Sequence, residues 1–180
     1  MFGDLLPRLR ACEEGAEPLF PAGDRIVAAA RRFARSPEAR ARFARAVATA
    51  SVNPAVAPVE AGIPKATMFA GDTLHAAGFA APARAGGYLP VATWPDCTLF
   101  QPVGPLWARP GDLLVIGVHI EVITEISDPD LRVVTLGARA EGLVEDRWHG
   151  ERLRRAERRA DHFVHRGQAI HVLRVTVQTP

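Results

Sequence analysis

The chain has 180 residues, 48% apolar and 23% charged, the balance of a globular domain long enough to enclose a sizeable core. A formal net charge of +2 is too small to argue for nucleic acid as a partner, and no apolar run is long enough to span a membrane. Cys12 and Cys97 are the only cysteines, too few for a disulfide framework.

In chain order, residues 1–22 carry Pro7, Pro18, Pro21, Gly3 and Gly15 and predict irregular structure. They contain no long apolar stretch of the kind a secretory signal peptide needs. Asp24 is placed to cap a helix reaching about Arg35, with Ile26, Val27, Ala30 and Phe33 on one face. Ser36-Pro37-Glu38 supplies an N-cap, a proline at the first helical position and an acid in the first turn of a second helix. That helix is expected to reach about Thr49, with Phe43 and Val47 paired at i,i+4. Arg31, Arg32, Arg35, Arg40, Arg42 and Arg45 fill the remaining faces. A solvated helix surface explains them best. Every basic residue of the 22 except Lys65 is arginine, a bias that reads as base composition rather than as a guanidinium-based function.

Three prolines between residues 51 and 64 predict an extended connection. Pro64 and Gly78 then bracket Ile63-Pro64-Lys65-Ala66-Thr67-Met68-Phe69-Ala70-Gly71-Asp72-Thr73-Leu74-His75-Ala76-Ala77-Gly78 as a short helix. Residues 79–109 show no strong periodicity and read as a long loop, a kind of segment that is often functional. Pro110-Gly111 suits the centre of a type II turn. Strands follow over Leu113–Ile116, His119–Thr124 and Leu131–Leu136, the last two joined as a hairpin through 128–130. Leu143-Val144, Phe163-Val164 and 170–177 complete the strand set, with a turn near Arg166-Gly167. Helices first and strands afterwards make the class α+β.

The helix at 64–78, the Pro110-Gly111-Asp112 turn and the strand Val118-His119-Ile120-Glu121-Val122-Ile123-Thr124 together resemble the papain-like cysteine hydrolases of the NlpC/P60 and CHAP type. In that group the nucleophilic cysteine opens a helix in a string such as Lys-Cys-Asn-x-Phe-Val-x-Asp-x-Leu. A Pro-Gly-Asp turn then leads to a strand carrying the catalytic histidine. Lys65, Phe69, Asp72 and Leu74 keep the pattern, and Ala66 stands at the nucleophile position. Alanine is the usual means of removing a thiol without disturbing a helix, so the chain reads as a hydrolase in inactivated form.

The resemblance implies a papain-like fold, with N-terminal helices packed on an antiparallel sheet. It divides the chain into a helical extension, 1–50, and a hydrolase domain, 51–180. It makes His119 the catalytic base. The residue orienting His119 normally comes from the next strand, where Thr135 is the nearest polar candidate. Glu121 lies on the same sheet face as His119, placed either to set the imidazole or to hold a substrate ammonium. Lys65, Thr67 and Trp94 are the remaining expected substrate contacts, Trp94 as a wall of the cleft. The substrate class implied is the peptide part of bacterial peptidoglycan, cut at an amide bond. The resemblance also implies an inhibitor or immunity protein as a partner. With no signal peptide, the chain is expected to be made in the cytoplasm and to act in the periplasm or cell wall after specialised export, as an effector or lysin.

Two other readings fit the same residues: a binding module that has lost its thiol, and a cysteine amidase or acyltransferase acting on a non-cell-wall amide. No cofactor is expected. His149, His162, His165 and His171 form no zinc spacing with the cysteines, and no phosphate-binding or dinucleotide fingerprint occurs.

Overall fold

The computed structural model describes residues 21–45, 51–54, 56, 64–84, 87–127, 132–147, 153–159 and 162–176. The helices are α1 (Pro21–Arg35), α2 (Pro37–Ala44) and α3 (Lys65–Ala76). The strands are β1 (Ala83–Arg84), β2 (Gly87–Tyr88), β3 (Phe100–Val103), β4 (Leu113–Ile116), β5 (His119–Ser127), β6 (Arg132–Arg139), β7 (Gly142–Asp146), β8 (Glu157–Arg158), β9 (Phe163–His165) and β10 (Gln168–Val175). This is an α+β arrangement of helices on an antiparallel sheet.

Local chemistry sets the helix ends. The Ser36 hydroxyl accepts from Ala39 N–H at 3.2 Å, the N-cap bond expected of Ser-Pro-Glu. α1 starts at Pro21, so Asp24 sits inside its first turn rather than at its cap. α2 ends at Ala44; Val47 and Thr49 lie outside the described residues, as do residues 1–20 and the 128–130 turn. α3 closes in a Schellman motif: Phe79 N–H donates to Leu74 O and Gly78 N–H to His75 O, both at 2.9 Å. Gly78 takes the φ of +81° that this motif requires.

The sheet runs β7-β6-β5-β4-β10-β9-β8. β3 joins the C-terminal half of β10, from Val172 to Val175, whereas β9 pairs with its N-terminal half. The stretch expected to be one long loop, 79–109, therefore holds β1, β2, β3 and two short 3-10 turns. Pro102 hides β3 from a sequence reading. Proline cannot donate to a ladder and is tolerated only where one strand edge is unpaired, which a strand bonded, among the described residues, to β10 alone provides. β5 and β6 form the expected hairpin, with a bulge between Ile123 and Glu125.

Two apolar clusters use the two faces of the sheet. Leu113, Val115, Ile120 and Val122 pack with Ile26, Ala30 and Phe43 of the first two helices and with Met68, Phe69 and Leu74 of α3. Leu114, Ile123, Val133, Ile170 and Val172 gather on the other face with Leu153. The 110–112 turn is fixed by contact with α1. A Cβ on Gly111 would stand 2.3 Å from the Gly23 Cα, and Gly111 adopts a φ of +92°. That close approach sets where β4 begins, and β4 in turn sets the register of β5.

Candidate active site

α3 begins without a side-chain cap and without an acid in its first turn. Its leading N–H groups keep their partial positive charge for whatever lies in front of them. Ala66 occupies this first turn and is buried but for one side, where it meets a cleft of 510 Å³ lined also by Pro64, Lys65, Val118, His119, Ala138, Arg139 and Ala140. Lys65 is spent on structure. Its ammonium donates to the carbonyls of Phe43 at 2.8 Å, Ala140 at 2.9 Å and Arg139 at 3.4 Å, tying the end of α2 to the β6–β7 turn.

His119 is a third exposed. Its Nε2 lies 2.8 Å from Glu121 Oε1, which engages that nitrogen. Directly opposed residues in an antiparallel pair share a face. The pairing of His119 with Ile116 and of Glu121 with Leu114 therefore puts both polar side chains on the sheet face away from α3. His119, the first residue of β5, nevertheless lines the cleft.

Glu121 is 2% exposed and heavily bonded. The Thr135 hydroxyl donates to its Oε2, and Arg139 donates to Oε1 from Nε at 3.1 Å and from Nη2 at 2.7 Å. Arg139 also pairs with the buried Asp146 of β7. Burial alone would pull the guanidinium pKa down, but its bonds to Glu121 and Asp146 outweigh that and hold it above the ordinary value. Gly137 makes room: a Cβ there would come within 2.6 Å of the Glu121 Cγ. The carboxylate beside His119 is thus an internal group fixed by β6 and β7. Its place on an ammonium-binding surface, one of the two roles expected for it, is corrected by this burial.

A second polar hub stands behind α3. Asp72 is fully buried and accepts from Tyr88 Oη at 2.9 Å, Val52 N–H at 3.2 Å and the Ser51 hydroxyl. Arg42 pairs with it at 2.9 Å. The Tyr88 ring lies where a side chain on Gly71 would be, 2.4 Å from an added Cβ. Asp72 therefore anchors α3 to α2, to the 51–54 segment and to β2.

The other expected contacts lie elsewhere. Trp94 is fully buried, stacked on Phe100 at 5.6 Å with its indole N–H on the Leu89 carbonyl at 2.9 Å. It packs the core and is not a cleft wall. Thr67 is buried beneath a neighbouring cavity of 310 Å³ that includes Tyr88, Pro90 and Val118. Cys97 is a half-buried free thiol beside the core. Arg139 and Asp146 were missed in the sequence. The signal for Arg139 was its place at i+4 from Thr135 on the same strand face; nothing local singled out Asp146.

No family model, curated protein or solved structure matches this chain. Among the described residues no helix is long and apolar enough to cross a membrane.

Proposed function

We propose that this chain carries the scaffold of a papain-like cysteine amidase or endopeptidase, directed at amide bonds in cell-wall peptides, with Ala66 at the nucleophile position. The observation that supports it is the meeting, in one cleft, of an uncapped helix N-terminus at Ala66 and an imidazole whose Nε2 is held by buried Glu121. A thiol at position 66 would have its thiolate favoured by the helix N-terminus. His119 Nδ1 would take the thiol proton and return it to the leaving amine, and water would then release the acyl group from sulfur. Glu121 would keep the tautomer with hydrogen on Nε2 and balance the imidazolium, as an orienting carboxylate does. Thr135 acts one bond further out, through Glu121.

With alanine at position 66 the chain cannot form the acyl intermediate. It keeps the cleft, which is the observation favouring a second reading, a peptide-binding module without turnover. Action in the periplasm or cell wall after export belongs to the same proposal.

Ala66→Cys, incubated with peptidoglycan and followed by mass spectrometry of soluble fragments, separates the readings. New fragments that vanish on adding His119→Ala support the hydrolase and identify the bond. Binding to sacculi without fragments supports the module. The absence of both turnover and binding would refute the substrate class.

A further inference from the structure

A second cavity, of 390 Å³, opens between β3, β8, β9 and β10, away from the cleft at Ala66. Trp107 and Phe163 supply its aromatic surface beside aliphatic side chains of β3 and β10, and Arg158, Arg159, His162 and His171 its polar one. Trp107 is 73% exposed, the only aromatic ring among the large apolar side chains left open to solvent in the described residues. The backbone that carries it is held on both sides. The Trp107 backbone N–H donates to Gly104 O at 2.8 Å, and Arg174 Nη2 donates to its backbone carbonyl at 2.9 Å. Arg174 is itself anchored to buried Asp112 by two bonds of 2.9 and 2.8 Å. Gly104 lets the indole lie close, since a Cβ there would stand 3.2 Å from its Cδ1.

An exposed indole whose backbone is tied to the Arg174–Asp112 pair and whose edge lies against Gly104 offers a ring face for stacking. The wall beside it is cationic. Arg158 and Arg159 are exposed, and the His162 and His171 rings lie 5.8 Å apart. Arg159 leans on Glu157 at 3.6 Å, an exposed pair that water screens and that a ligand carboxylate can displace. Guanidinium groups bind carboxylates in a planar, two-bonded geometry, and the volume suits a single ring system. We propose that this cavity is a binding subsite for a carboxylate-bearing pyranose, its ring face on Trp107 and its acid on Arg158 and Arg159. Single-stranded nucleic acid fits less well, because it calls for a continuous basic groove with successive stacking rings and this surface offers one exposed ring among the described residues. The subsite is independent of the chemistry at Ala66.

The test is tryptophan fluorescence and calorimetric titration of the full chain with three probes: N-acetylglucosaminyl-N-acetylmuramic acid, neutral di-N-acetylchitobiose, and a ten-residue oligothymidylate. The acidic disaccharide is expected to bind with a Kd below about 1 mM, at least about tenfold more tightly than the neutral one. Trp107→Ala should weaken it by about tenfold. Arg158→Gln with Arg159→Gln should bring it to the level of the neutral sugar. His119→Ala should leave it unchanged, which keeps this result separate from any outcome at the cleft. Each of these surface variants is checked for an unchanged circular dichroism spectrum. Equal affinity for the two sugars, no binding of either, tighter binding of oligothymidylate, or full binding by Trp107→Ala would overturn the proposal.

Discussion

Replacing Arg139 with methionine strips the cation from a network that holds two buried acids. Glu121 and Asp146 are 2% and 3% exposed at the side chain, while Arg139 is 27% exposed. Removing one member of a fully buried ion pair costs about 3–5 kcal/mol, because the remaining charge stays desolvated. Water reaches part of the guanidinium here, so the lower end applies, about 3 kcal/mol. For a chain of this size each kcal/mol lowers Tm by about 2–4 °C, which gives a fall of about 6–12 °C. The assay is denaturant and thermal unfolding of Arg139→Met, Glu121→Gln and the double variant at neutral pH. Glu121→Gln removes the charge that Arg139 balances, so the double variant should lose less than the sum of the single losses, by at least about 1 kcal/mol. A loss below about 1 kcal/mol in Arg139→Met, or strict additivity, would refute the claim that Glu121 is fixed through this arginine.

Two further outcomes follow from the same geometry. Tyr88 is the only tyrosine, so the phenolate absorbance of the native protein reports one group. Burial, helped by the Asp72 carboxylate, pushes its pKa above the ordinary 10.0, against the bonds from Ser51 and Asn53. A folded pKa raised above the unfolded value gives stability that is complete below about pH 10 and is lost as pH rises toward the folded value. The absorbance should therefore fail to rise near pH 10 and appear only at higher pH or together with unfolding; a midpoint near 10 in folded protein would refute the burial argument. In the Ala66→Cys background, Glu121→Gln should lower kcat by about a hundredfold with KM little changed, since Glu121 orients the imidazole and does not touch substrate. An equal effect on KM would assign it instead to binding.

The sequence by itself determined the local structure wherever a short-range rule applied. Ser36-Pro37-Glu38 started α2, Pro64 and Gly78 bounded α3, alternation drew the β5–β6 hairpin, and Arg166-Gly167 turned β9 into β10. It also put His119 and Glu121 on one strand face, since a period of two needs no tertiary information. Only the tertiary structure decided what those residues touch. Trp94 reads in sequence like any loop aromatic, and its burial against Phe100 depends on β3, a strand that Pro102 conceals. Thr135 and Glu121 were separate candidates until the β5–β6 register placed one hydroxyl on the other's carboxylate. Arg139 and Asp146 enter the network only because β7 pairs with β6, bringing an acid distant from Glu121 in sequence onto the same guanidinium. Capping, turns and alternation act over a few residues and are written locally. Burial of a charge and the partner that balances it depend on strands far apart in the chain, and only their pairing makes that visible.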